Sequence, residues 1–231
     1  MINLPELKEL QFCEKTHTYT VNGFVVPSVS EIMKPLSAAH YGGIDTDTLN
    51  KAANRGTIVH AAVENYLLFG IEDISKELRG YFDGFKKWID EVKPVPIKTE
   101  CRIYHKTLNY AGTADLPCYI DDVPTLVDFK TTATVAKVLT RVQLEAYKKA
   151  FESHDVKFER KLIIQSRKDG TYHAEQHPIT DAESCKVFTE LLDVYRFIKK
   201  KSVGGFKWNR KNRLWPYCPK LLKVKRLRKR R

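Results

Sequence analysis

Gly112-Thr113-Ala114-Asp115 and Val127-Asp128-Phe129-Lys130 are the two phrases that decide how this chain folds. Successive side chains of an extended strand point to opposite faces, so Asp128 and Lys130, two residues apart, share one face. The turn signal Asp121-Asp122-Val123-Pro124 lies between the phrases, which makes the segments carrying Asp115 and Asp128 adjacent arms of a hairpin. Such a hairpin brings two carboxylates and one ammonium to one spot. Two carboxylates hold a hard divalent cation, while an ammonium orients a water or offsets negative charge on a phosphate. Metal-dependent phosphodiester hydrolysis is the chemistry that suits this pattern.

Working outward, Asn22-Gly23 between residues 16–21 and 24–26 is a strong hairpin signal, and Ser28-Val29-Ser30-Glu31 is a capping box opening a short helix that stops before Pro35. The apolar spacing predicts a long helix over 47–69, stopped by Gly70, and another over 75–92, ended by Pro94 and Pro96. Strand patterns then cover 97–104, 112–120 and 125–131, a three-stranded meander. A helix over 135–152 follows, then a hairpin of 158–166 and 171–177 closed by Lys168-Asp169-Gly170. A last amphipathic helix over 181–200 is entered through Thr180. Helices before and after a central mixed β-sheet predict an α/β (α+β) domain.

Four further polar groups join the opening trio once these elements are drawn. Glu100 falls in the strand before Asp115, alternating with Thr99 and Cys101. His60 and Glu64 are four apart on the long helix, as are Gln143 and Tyr147 on the helix after Lys130, so each pair shares a helix face. Singly these signals are weak: surface strands carry D-x-K triplets routinely, and a Gly before an acid often marks a turn. Glu64 reads more readily as a helix salt-bridge partner than as a ligand, and Gln143 with Tyr147 also fits a half-buried helix face. Asp121, Asp122 and Asp169 are turn formers. The specificity lies in the conjunction and order of the elements.

That conjunction resembles the RecB-like branch of the PD-(D/E)XK nucleases, over roughly residues 15 to 150. The resemblance is carried by Arg55-Gly56-Thr57-Ile58-Val59-His60-Ala61-Ala62-Val63-Glu64, Glu100, Gly112-Thr113-Ala114-Asp115, Asp128-Phe129-Lys130 and Gln143-Leu144-Glu145-Ala146-Tyr147. The front hairpin followed by Val26-Pro27-Ser28-Val29-Ser30 is similar to that of phage-type exonucleases, and mitochondrial genome maintenance exonucleases share the core. Two departures are the missing proline before Asp115 and an aspartate at position 128 where glutamate is common. The resemblance implies a restriction-endonuclease-like core in residues 1–203. It also implies that Asp115, Asp128, the main-chain carbonyl of Phe129 and His60 bind Mg²⁺ or Mn²⁺, with Glu100 on a second metal or a metal-bound water. Lys130 then positions the attacking water, and Gln143 and Tyr147 hold the DNA backbone or the lysine.

The 231 residues suffice for a full core, and 42% hydrophobic with 11% aromatic content fits a globular protein. No apolar run approaches the roughly 20 residues that cross a bilayer, and the N-terminus lacks the blocks of a secretory signal. The expected setting is the cytoplasm of a bacterium or a phage-infected cell, with no membrane partner. Cys13, Cys101, Cys118, Cys185 and Cys218 show no C-x-x-C spacing, so reduced thiols are expected. The net charge of +12 is lopsided: after Asp193 there is no acid, and the rest of the chain carries a balance of −4. Residues 204–231 read as a basic tail in which Lys223, Lys225, Arg226 and Arg228 clamp the DNA backbone. A solvated terminus and a nuclear address are the other readings of that tail. Phe206, Trp208, Trp215 and Tyr217 suit either base stacking or burial against the core.

The leading expectation is a metal-dependent DNA exonuclease of phage or bacterial recombination and repair, acting from duplex ends on linear duplex or single-stranded DNA, with a single-strand annealing protein as a further partner. The alternatives are a structure-specific or single-strand endonuclease and a catalytically inactive DNA-binding recombination accessory protein.

Overall fold

The chain opens with a small antiparallel sheet of β1 (Leu10–Cys13), β2 (Thr18–Val21) and β3 (Phe24–Val26), with β2 in the middle. Asn22 and Gly23 both take positive φ, 51° and 80°, the two-residue turn whose twist matches its flanking strands. The first strand, β1, carries no turn signal and was not expected from the sequence. In the capping box Glu31 N–H donates to the Ser28 hydroxyl at 3.0 Å, and Ser28 N–H donates to the Glu31 carboxylate at 3.1 Å. It opens α1 (Val29–Ile32). That short helix stops before Pro35, as its sequence predicts, and a second helix that was not expected, α2 (Lys34–Tyr41), follows with Pro35 in its first turn, where a missing N–H leaves no bond unmade. Helix α3 (Thr46–Phe69) is capped by Asp45 and closed by Gly70 at φ 69°, while α4 (Arg79–Val92) begins four residues later than its apolar pattern.

This computed structural model describes residues 2–203. The predicted tail contacts Lys223, Lys225, Arg226 and Arg228, the aromatic residues 206, 208, 215 and 217, and Cys218 lie outside the described residues.

After α4 come β4 (Val95–Pro96), β5 (Cys101–Tyr104), β6 (Ala111–Ala114), β7 (Leu116–Ile120) and β8 (Val123–Lys130). Helix α5 (Lys137–Glu152), β9 (Arg160–Ser166), β10 (Tyr172–His177) and α6 (Ala182–Val203) complete the order. The main sheet runs β10-β9-β8-β7-β4, with β8 and β9 parallel across the α5 connection and the other pairs antiparallel. The predicted meander is therefore split. β5 and β6 form a separate two-stranded sheet, because the chain bends at residues 99–100 and again at 115.

Val127 and Phe129, on one face of β8, pack with Val59 and Val63 of α3 and with Phe82, Phe85 and Trp88 of α4. Phe129 lies 4.8 Å from Phe85 and 5.9 Å from Trp88, ring centre to ring centre. Asp128 and Lys130 point the other way. α4 lies so close to the sheet that a Cβ on Gly84 would sit 2.2 Å from the Ser166 hydroxyl and 2.7 Å from the Thr171 carbonyl. Helix α5 is fastened to β9 by a buried charge network. Lys161 donates to Glu145 at 2.6 Å, and Lys148 bonds the other Glu145 oxygen at 3.2 Å and pairs with Glu152 at 2.8 Å. At the start of α6, Asp181, not Thr180, accepts the Ser184 N–H, and it receives Arg141 of α5 through two bonds of 2.8 and 3.0 Å. Residues up to Val194 make one compact unit; the end of α6 from Tyr195 belongs to a second, in which Lys199 lies over the Tyr195 ring at 5.5 Å. Cys13, Cys101, Cys118 and Cys185 are free thiols, and no described helix is long and apolar enough to cross a membrane.

Removing Glu145 strands the Lys161 ammonium, which is only 1% exposed. Glu145→Ala is therefore expected to lower unfolding stability by about 3–5 kcal/mol, read from a urea midpoint shift at unchanged slope. A second expectation concerns acid. The Arg141 guanidinium, outweighing burial and joined by Ser184, holds the Asp181 carboxyl well below its ordinary value. Its stabilising contribution is complete above the unfolded carboxylate range near pH 4 and falls away as pH drops through the folded value. Melting curves from about pH 6 to pH 2 should thus fall more steeply for the wild type than for Arg141→Ala.

Candidate metal centre

The site is built around a strand that stops being one. Leu116 pairs with Val127, so the next step of the register would set Asp115 opposite Asp128. Asp115 bends out of the ladder instead, and its Oδ2 accepts the Phe129 N–H at 2.7 Å. Its own carbonyl accepts the Glu100 N–H at 2.9 Å. Glu100, predicted within a strand, lies in the bend before β5 with φ 43°, a left-handed conformation that side chains other than glycine rarely take. The bend turns its carboxylate toward Asp115.

His60 of α3 closes this group. Its Nδ1 lies 3.7 Å from Asp115 Oδ1 and 3.9 Å from Glu100 Oε1. One donor atom each from His60, Glu100 and Asp115 falls within 4.8 Å of the other two. Asp128, 2% exposed, adds a carboxylate neither of whose oxygens has a hydrogen bond of acceptable geometry, although Lys130 is in ion-pair contact with it. Burial pushes the Asp128 carboxyl up, against the pull of Lys130 and with the help of Asp115. Burial also raises Glu100, reinforced by repulsion from Asp115, Glu64 and Asp128. For Lys130 burial pulls downward, and the Asp128 and Asp115 carboxylates outweigh it, leaving the ammonium raised and charged.

An oxygen-rich set with one imidazole and an unsatisfied buried carboxylate fits a small hard divalent cation. Phe129 meets the acids through its N–H, which donates to Asp115, not through the carbonyl that the resemblance names. Gln143 and Tyr147 stand behind the lysine. Lys130 donates to Gln143 Oε1 at 3.2 Å, and Gln143 Nε2 donates to the Tyr147 hydroxyl at 3.2 Å. Tyr147 is 5% exposed, and the Gly112 of the first motif makes room for it: a Cβ there would lie 2.6 Å from Tyr147 Cε1. Gly112 is a strand residue beside an aromatic ring, not a turn former. Glu64, expected as a salt-bridge partner, has no ion pair among the described residues and accepts the Thr99 hydroxyl at 2.8 Å. Asp121 and Asp122, at φ 50° and 60°, are the turn formers that they were read to be.

Two clefts, of about 750 Å³ and 630 Å³, meet over the acids and share His17, Ser30, Thr57, Glu64 and Glu100 as lining. Lys130 and His60 open into the larger, Tyr147 and Thr113 into the smaller. His17 and Arg102 line these clefts and were not singled out in the sequence. The only signal for Arg102 was its place two residues after Glu100, as the polar residue between Cys101 and Ile103 in a strand pattern.

No protein-family model and no curated protein matches the chain. Among solved structures it is similar to an alkaline exonuclease (LHK-Exo) from Laribacter hongkongensis, at 14% identity and TM-score 0.32, over 63% of this chain and 84% of that one. The same enzyme in complex with dAMP superposes at 14% identity and TM-score 0.33, over 78% of this chain and 94% of that one. Superpositions of this quality decide neither the substrate nor the reaction of this chain.

A cation held at a hundredfold excess over its dissociation constant stabilises the folded state by about 2.7 kcal/mol, about 5–10 °C in Tm at this size. Mn²⁺ is expected to raise the Tm of metal-stripped protein on that scale in differential scanning fluorimetry. Asp128→Asn should raise the metal-free Tm, because it removes a repelled buried charge, and should remove most of the Mn²⁺ effect. A Tm indifferent to Mn²⁺ would count against the site.

Proposed function

We propose that this chain is a metal-dependent DNA exonuclease that hydrolyses phosphodiester bonds with Mg²⁺ or Mn²⁺. The observation that carries the reading is Asp128: a fully buried carboxylate in ion-pair contact with Lys130, neither oxygen having a hydrogen bond of acceptable geometry, in the field of Asp115 and His60 and next to the His60–Glu100–Asp115 cluster. An unsatisfied buried acid is costly, and a cation ligand is the role that repays it. The resemblance to RecB-like nucleases and the basic C-terminal sequence favour DNA as the polyanion, with residues 220–231, including Lys223, Lys225, Arg226 and Arg228, as its backbone clamp. A restriction-endonuclease-like core accords with the antiparallel β7–β8 pair and the α5 crossover into parallel β9.

Asp115, Asp128, His60 and Glu100 would hold the cation. When bound, it polarises a phosphoryl oxygen and lowers the pKa of water. Lys130 keeps its proton in the field of the two aspartates, so it orients the attacking water and offsets charge on the phosphate. Gln143 fixes the lysine, and Tyr147 fixes Gln143; burial keeps the Tyr147 phenol neutral, its pKa well above the ordinary value.

Purified full-length chain is expected to shorten linear duplexes labelled at either end in Mg²⁺ or Mn²⁺ and to leave them intact in chelator. Covalently closed circles should survive; nicking of circles would replace the exonuclease reading with an endonuclease. Asp128→Asn and Lys130→Ala should each lower kcat by at least about 10²-fold, the scale of a lost electrostatic or proton-handling group. Unchanged activity in either variant would refute the assignment.

A further inference from the structure

The N-terminal sheet takes no part in the main core, yet it is fixed to the motif strand: the Tyr19 hydroxyl and Thr113 Oγ1 are hydrogen-bonded at 2.7 Å. Its β1–β2 turn reaches over the acids, and His17 lines both clefts. His17 is exposed and held at φ 50°, with its ring edge-on to Phe12 at 5.1 Å. The turn at residues 14–17 sets this ring at the mouth of both clefts. Across the smaller cleft, Arg102 pairs in register with Thr113, so both side chains lie on the face that Tyr19 covers. The guanidinium lies 4.9 Å over the Phe12 ring, and it is the only Lys or Arg among the described residues lining that cleft.

Charge decides what such an arrangement can bind. Glu14, Glu64 and Glu100 make the smaller cleft acidic, so a polyanion entering it needs a cation beyond the one at the centre. Arg102 is 46% exposed, and its one ion pair among the described residues, to the 84%-exposed Glu14 at 3.7 Å, is long and open to solvent. A pair of that kind contributes little and exchanges readily for a phosphate. Stacked on Phe12, the guanidinium is pre-oriented and keeps its N–H edge available.

We infer that this second wall, which rests on the nuclease reading, holds the unpaired nucleotide next to the scissile phosphate. Its base lies against His17, and its outer phosphate sits on Arg102. Phe12 is the positioning residue for the guanidinium. The occupant is single-stranded DNA, because a base within a duplex cannot offer its face to a side chain. The reading gives the His17 ring, the Phe12–Arg102 stack and the one basic side chain described in that cleft a common purpose.

The test separates this wall from the nuclease reading. Steady-state cleavage is measured on the full-length chain, and affinity for a short fluorescein-labelled single strand is measured by anisotropy in the Lys130→Ala background with Mn²⁺. His17→Ala and Arg102→Ala are each expected to raise KM and Kd about tenfold, within the range for a stacked base or a charge-assisted phosphate contact, with kcat within about twofold. Arg102→Lys should recover part of the loss. Glu14→Gln should tighten binding, since it removes the competing carboxylate, whereas an Arg102 that only serves Glu14 would give weaker or unchanged binding. Circular dichroism confirms folding of each variant, and His17→Ala, at an exposed turn, stands in if Arg102→Ala misfolds. Wild-type cleavage with KM and Kd unmoved in the His17 and Arg102 variants overturns the wall alone. A wild type that binds the strand without cutting it overturns the nuclease reading and leaves the wall to be judged on Kd. A wild type that does neither overturns both.

Discussion

The hydrogen bond from the Phe129 N–H to the Asp115 side chain is where the architecture and the chemistry of this chain meet. An antiparallel ladder would satisfy that N–H with a backbone carbonyl. Here a carboxylate oxygen takes it, at 2.7 Å, so the strand carrying Asp115 must turn at that residue. The turn separates β6 from β7, frees β5 and β6 to form their own sheet, and offers the Asp115 carbonyl to the Glu100 N–H. Glu100 then takes its left-handed backbone and faces the same point as Asp115 and His60. One substituted bond converts two sheet acids into a three-sided cluster.

A cluster of that kind stores repulsion, and the surrounding fold is arranged to contain it. Lys130 supplies one positive charge, steadied by Gln143 and, through it, by Tyr147. The Tyr147 ring occupies the space that Gly112 leaves, so the glycine of one motif and the tyrosine of another are a single packing requirement. Phe129, between Asp128 and Lys130, is locked on the opposite face by Phe85 and Trp88, which fixes the side to which both charged neighbours point. The apolar core is thus what aims the polar site.

Much of this was legible in the sequence where the cause is local. The Asn22-Gly23 turn, the Ser28–Glu31 capping box, the Gly70 stop and the i, i+4 pairs on α3 and α5 follow from backbone preferences and helix spacing alone. What escaped has a non-local cause. β1 is a strand only because β2 lies beside it, and its residues 10–13 alternate between half-buried and exposed without a turn to announce them. The bend at Glu100 depends on a carbonyl fifteen positions away in sequence, so a strand pattern there read as continuous. The short helix does end before Pro35, but the same residue is equally at home in a first helical turn, and the α2 that it helps to open was not foreseen. His17 and Arg102 carry no motif; their interest arises only when the N-terminal sheet is folded over the acids.

Two acids in this unit are equally buried and have opposite fates. Glu145 and Asp128 are each 2% exposed. Glu145 receives Lys161 and Lys148 on its two oxygens and spends its charge on joining α5 to β9. Asp128 has a lysine beside it and hydrogen bonds to neither oxygen, and that lysine is itself shared with Gln143. The fold therefore has the means to satisfy a buried carboxylate and applies them seventeen residues along from Asp128. Burial alone does not distinguish a structural acid from a functional one; the state of its lone pairs does. An aspartate kept dry, repelled by its neighbours and left short of donors has coordination to spare, and beside Glu100, Asp115 and the His60 imidazole that spare capacity suits a cation.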